Sequence, residues 1–136
     1  MNNYKIKLQL QDLEITISNM YITCYGAVSL LDFKYHLTLE LKSFKNKTII
    51  ITDLSDDIAF LYEFCTKGTF ESPTNECIFS IYNFNNKASI NLETSDCKFL
   101  KETLIDENTL QDFFLELKSY FEFLIENYKI EHPDNN

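Results

Sequence analysis

The ten residues from Phe33 to Lys42 constrain this chain most. Phe33, Tyr35, Leu37, Leu39 and Leu41 alternate without a break with Lys34, His36, Thr38, Glu40 and Lys42. Successive side chains of a strand point to opposite faces, so this run has one apolar and one polar side. A helix would spread the same residues around its whole circumference. The pattern therefore specifies a strand in an antiparallel sheet with one face packed and one face wet. Upstream, Ile6, Leu8 and Leu10 alternate with polar residues, as do Leu13, Ile15 and Ile17, and a turn at Gln11-Asp12 separates them. Together they read as a hairpin. A third, less regular strand is expected over Tyr21 to Ala27. Beyond a polar turn at Ser43 to Lys47, Thr48-Ile49-Ile50-Ile51 reads as a short β-branched strand.

The period then changes. Leu54, Ile58, Leu61, Tyr62 and Cys65 fall at helical spacing. Thr52, Asp53 or Ser55 can cap the start, Asp56 and Asp57 suit the positive end of the helix dipole, and Gly68 is placed to end it. These signals predict a helix over 54–67. Strands return after Pro73, over Glu76 to Tyr82 and over Ala88 to Leu92, joined through Asn85-Asn86, residues that tolerate left-handed turn geometry. A last strand covers Lys98 to Ile105. Asn108 with Gln111 then resembles a capping box. Leu110, Phe113, Phe114, Leu117, Phe121, Leu124, Ile125 and Tyr128 make one apolar stripe, with Glu116, Lys118, Glu122 and Glu126 on the other side. The order strands, helix, strands, helix predicts an α+β fold: a mostly antiparallel, twisted sheet of about six to eight strands carrying two helices, the second long and C-terminal. One domain is expected over 1–130, followed by a flexible polar tail over 131–136.

The charge narrows the function classes. The chain has 12 Lys, no Arg and 21 carboxylates, a formal net charge of −9. Without Arg it lacks the usual fork for phosphate, and without a basic footprint direct binding of nucleic acid is not expected. Residues 1–47 carry six Lys against four acids, a net of +2, whereas residues 48–136 carry six Lys against seventeen, a net of −11. That split admits two readings, a solubilising surface or an acidic face that steers toward a basic protein. No stretch is apolar enough for a membrane span or a secretory signal core, so a cytoplasmic protein is expected. Cys24, Cys65, Cys77 and Cys97 are scattered, which suits free reduced thiols and not a paired zinc site.

Nothing in the spacing points to catalysis. His36 and His132 have no partner at nucleophile–base spacing, and two glycines cannot build a phosphate-cradling loop. Asp53, Asp56 and Asp57 are the densest carboxylate cluster. They read as acids at a helix start, since the glycine turn of a calcium loop is absent. The expectation is a protein that is not an enzyme and needs no cofactor or metal.

From Asp53 onward the layout resembles a known class. A helix reads Asp53-Leu54-x-x-Asp57-Ile58-x-x-Leu61, followed by Gly68-Thr69-Phe70-Glu71-Ser72-Pro73 and a two-strand unit ending near Leu92. The closing helix reads Leu110-x-x-Phe113-Phe114-x-x-Leu117-x-x-x-Phe121. This is similar to the immunity proteins of bacterial polymorphic toxin systems, the Wap-type and contact-dependent growth inhibition families, small proteins that bind and neutralise a cognate toxin domain. The resemblance implies a basic toxin partner, often a nuclease, and no catalytic residue. Asn85-Asn86 stand where such proteins would carry a hairpin glycine. Exposed acids of the second half are then the candidate contacts: Asp56, Asp57, Glu71, Glu76, Glu93, Asp96, Glu102 and Glu107. A phage-encoded acidic inhibitor of a nucleic-acid-binding defence enzyme, or a small enzyme or ligand-binding domain, would fit the same composition.

Overall fold

A computed structural model of the chain describes residues 4–26, 32–43, 48–72 and 76–133, with residues 69–72 and 84 described for their backbone alone. The class is α+β, with eight strands and two helices. The strands divide into two antiparallel sheets of four. The first holds β1 (Ile6–Gln9), β2 (Leu13–Cys24), β3 (Phe33–Ser43) and β4 (Thr48–Asp57), ordered as in sequence. Then come α1 (Ile58–Lys67) and the second sheet: β5 (Thr69–Ser72), β6 (Cys77–Phe84), β7 (Lys87–Glu93) and β8 (Lys98–Leu104), again in sequence order. The chain closes with α2 (Glu107–Glu131).

β3 behaves as its alternation demands. Phe33, Tyr35, Leu37, Leu39 and Leu41 are all buried. Its two neighbours do not alternate cleanly, and the cause is the same on both sides. In β2, Asn19 and Met20 together oppose Leu37, and in β4, Thr52 and Asp53 together oppose Thr38. Each is a β-bulge, with Asn19 at φ 50° and Asp53 at φ 56°. One extra residue reverses the inward phase, so β2 buries Leu13, Ile15 and Ile17 before the bulge and Met20 after it. The expected separate strand over Tyr21 to Ala27 is therefore the second half of β2 as far as Cys24, and residue 27 lies outside the described residues. The helix expected from Leu54 likewise starts later. β4 continues through Leu54, which pairs with Leu37, and Asp57 is the N-cap, accepting from the Ala59 N–H at 3.3 Å.

Other boundaries shift for local reasons. α1 ends at Gly68, which adopts φ 77° as expected of a C-cap, and its N–H bonds the Phe64 carbonyl at 2.7 Å. β5 begins one residue later and pairs Thr69 with Ser80, so the strands return before Pro73. Asn85 and Asn86 take φ 53° and 63°, the left-handed pair that closes a two-residue hairpin between β6 and β7. The capping-box reading of Asn108 and Gln111 is corrected: Asp106 is the N-cap of α2, accepting from the Asn108 N–H at 3.3 Å. α2 continues to Glu131 with His132 as C-cap. The turn expected over Ser43 to Lys47 and the end of the expected tail fall on residues 44–47 and 134–136, outside the described residues.

The inward faces of both sheets and the apolar stripes of both helices form one core. Phe64 of α1 ties the parts together, with its ring 5.8 Å from Phe79 of β6 and 5.2 Å from Phe114 of α2. Leu117 and Phe121 of α2 are fully buried, and Phe121 meets Tyr35 of β3 edge-on at 6.2 Å. Lys101 of β8 reaches Asp12 in the β1–β2 turn, an ion pair between the two sheets that holds the Asp12 carboxyl below its ordinary range.

Candidate functional site

The eight acids singled out by charge do not converge. Asp56 and Asp57 end β4, and both are engaged locally. The Asp56 carboxylate accepts from the Asp57 N–H at 2.8 Å, and Asp57 accepts the Tyr25 hydroxyl at 2.7 Å while capping α1. That hydrogen bond pushes the Tyr25 phenol up to about 12. Glu93 and Glu102 stand on the outward side of the second sheet, opposite Lys98 and Ser89 respectively. Glu71 lies in register with Ile78, on the same row as Glu93, and its side chain is outside the described set. Glu76, at φ 48°, and Asp96 occupy the exposed turns that enter β6 and β8. Glu107 opens α2. These are separate places and not one face.

The acidity that does gather on one surface belongs to α2. This helix carries Glu107, Asp112, Glu116, Glu122, Glu126 and Glu131 against Lys118 and Lys129, and all six carboxylate residues are exposed. Both lysines are already engaged. Lys118 sits 5.7 Å above the Tyr62 ring, and Lys129 pairs with Glu126 at 3.6 Å. At 100° per residue, Leu115, Phe123 and Ile130 lie on the same outward side as Asp112 and Glu126. They are 64%, 56% and 72% exposed. An outward row of large apolar side chains is not explained by the core, which α2 already fills with Leu110, Phe113, Leu117, Phe121 and Ile125. Along one edge, Tyr120 stacks on Tyr4 at 4.6 Å and leans toward Phe123 at 6.2 Å. The Tyr4 hydroxyl donates to Glu116, which raises the phenol above its ordinary value.

Beside this row lies a cleft of about 220 Å³ between α1 and α2, lined by Phe33, Ile58, Tyr62, Ile125, Glu122, Glu126 and Lys129. Its walls are mostly apolar, and two exposed carboxylates stand among its lining residues. Such a lining suits a long basic side chain, whose methylene stem packs on the walls while its charge meets the acids. Lys129, already paired with Glu126, shows the chemistry in miniature. The periodicity of the acids on α2 was readable from sequence. The interruption of that polar side at 115, 123 and 130 was an equally readable signal that charge counting passes over. The cleft was not readable, because its residues come from β3, α1 and α2.

Three further titratable groups are settled into structure. Burial pushes the Cys65 thiol up to about 12 and the Cys77 thiol to about 11, so both are neutral and poorly nucleophilic at physiological pH. His36 stacks on Tyr21 at 4.3 Å with Nε2 2.9 Å from the Thr23 hydroxyl, and partial burial lowers its pKa. Among the described residues no three His, Cys, Asp or Glu side chains are placed to share a metal ion, and no helix is long and apolar enough to cross a membrane. Neither a family model, nor a curated protein, nor a solved structure matches the chain.

Proposed function

We propose that the protein acts by binding a basic protein through the outer side of α2, as an immunity protein that neutralises a cognate toxin domain, with a nuclease the partner that best fits. The observation that carries this reading is the cleft between α1 and α2, apolar in its walls and bordered by Glu122 and Glu126, beside the exposed row of Leu115, Phe123 and Ile130. An apolar centre with a charged rim is the usual build of a protein interface, and one-signed acidity selects a basic partner and speeds its association. A toxin that grips nucleic acid has the complementary charge. The resemblance in element order points to the same class, and the contact surface moves from the scattered acids to α2, with Glu107 shared by both sets.

The test combines capture with growth. The full chain and its Glu122→Lys/Glu126→Lys variant are used to capture partners from the native host, and each captured protein is expressed in a bacterium with and without this chain. The expected result is a basic protein that is toxic alone and tolerated with the wild-type chain. The double variant should bind it at least about tenfold more weakly, and wild-type affinity should fall as salt rises. Equal capture by the variant, or an affinity indifferent to salt, would overturn the assignment of this surface. A partner harmless to the host would overturn the immunity reading.

A further inference from the structure

The second sheet carries a surface of a different kind. β8 is its last strand, and β7 is its sole hydrogen-bonded strand neighbour among the described residues. Its outward side chains are Lys98, Leu100, Glu102 and Leu104, all exposed, with Leu100 at 67% and Leu104 at 59%. An exposed edge strand presents unpaired backbone N–H and C=O groups and is a template for another strand.

We infer that β8 pairs antiparallel with β8 of a second copy of this chain, about a two-fold axis through Leu100. The charges favour one register. Residues opposite each other across an antiparallel pair share a face, so a two-fold pairing must put one residue opposite itself. An axis at Lys101 or Glu102 sets like charges against each other. An axis at Phe99 sets Asp96 opposite Glu102. An axis at Leu100 places Leu100 against Leu100 and Lys98 against Glu102, and symmetry makes that ion pair twice. The result is an eight-stranded sheet across the dimer, with an apolar contact at its centre and unlike charges on each side. The same sheet face adds exposed Tyr82 and Ile78 on β6. Unlike α2, the exposed ends of β7 and β8 on this face are balanced in charge, with Lys87 and Lys98 against Glu93 and Glu102. They therefore suit a self-complementary contact and not a one-signed partner.

Sedimentation of the full chain over micromolar concentrations tests this, with circular dichroism confirming that each variant is folded. Small interfaces dissociate in that range. The wild type is expected to be a dimer. Glu102→Lys or Lys98→Glu alone places like charges opposite each other twice and should weaken it about tenfold. The double variant Lys98→Glu/Glu102→Lys restores unlike pairs and should recover wild-type association. Leu100→Lys should leave a monomer. A wild type that stays monomeric throughout overturns the inference. So does a dimer indifferent to the single charge reversals, or one that the double variant fails to rescue. Glu122→Lys/Glu126→Lys on α2 should leave the dimer intact, which separates this outcome from the fate of the toxin-binding reading.

Discussion

Replacing Gly68 by Ala should cost about 1–5 kcal/mol of folding stability, and the structure supplies each part of that figure. Gly68 sits at φ 77°, where a side-chain-bearing residue is disfavoured by about 1–2 kcal/mol. A Cβ built there would also overlap the Ile81 carbonyl oxygen. That oxygen belongs to β6 and cannot swing aside as a side chain would. Relief requires α1 and β6 to separate, which strains the 2.7 Å bond from the Ile81 N–H to the Gly68 carbonyl. Losing a buried backbone hydrogen bond adds about 1–3 kcal/mol. The reduced entropy of the unfolded chain returns about 0.4–1 kcal/mol, which sets the net figure. Urea denaturation followed by circular dichroism reads the difference, provided the slope with denaturant is unchanged. Gly26→Ala is the control. Its Cβ would crowd the Asp32 side chain, whose carboxylate can swing aside while its Cβ must shift slightly with the backbone, and no left-handed φ is involved, so about 1 kcal/mol or less is expected. Equal and small effects at both positions would refute the account of Gly68 as the clamp between α1 and the second sheet.

Two further outcomes follow from burial. Leu117→Ala should destabilise the fold by about 2–5 kcal/mol, because Leu117 is fully buried among Leu37, Leu54, Phe64 and Phe79, whereas Leu115→Ala on the opposite side of α2 should leave the melting temperature unchanged and weaken partner capture. The fold should also lose stability as pH rises from 9 toward 12. The folded state holds Cys65 and Cys77 protonated up to about 12 and about 11, while their ordinary value is 9.0, so the unfolded chain sheds protons first. Below pH 9 this contribution is fully present. Thermal melts across that range should show a shallower decline for Cys65→Ala, and an unchanged decline would remove burial of this thiol as the cause.

How much was legible in the sequence depends on where the backbone departs from regularity. β3 could be read residue by residue because it contains no bulge. Its neighbours hid their continuity, since Asn19 and Asp53 each insert one residue and reverse the inward phase. To a pattern of period two, a reversal looks like the end of a strand, which is why β2 reads as two strands and the end of β4 as a helix start. Leu54 misleads for the same reason, being buried at helical distance from Ile58 while belonging to the sheet. β5 has four residues and is fixed by its pairing with β6, a tertiary fact without a local signature. The division into two sheets is equally non-local: nothing between Asp57 and Thr69 announces that the helix starts a new sheet. The acids of α2 were visible at helical spacing, but net charge over half the chain gave equal weight to Asp56 and Asp57, whose carboxylates hold the β4–α1 junction.

Charge sign separates the two exposed surfaces more firmly than area does. A second copy laid on α2 would bring six carboxylates against six, with both lysines already engaged by Tyr62 and Glu126. Like-charge juxtaposition of that kind opposes self-association and leaves the helix open to a basic protein. On the outward side of β8 one Lys and one Glu flank Leu100, and a two-fold axis through Leu100 sets each against its opposite. The same rule that bars α2 from a twin admits β8 to one. Because the two surfaces use different residues and opposite charge logic, a dimer through β8 would present two acidic helices, so each dimer would take up two copies of a basic partner. A stoichiometry of one partner per chain, maintained when Leu100→Lys abolishes the dimer, is the outcome that this arrangement requires. A partner lost together with the dimer would instead mean that one surface is completed by the other.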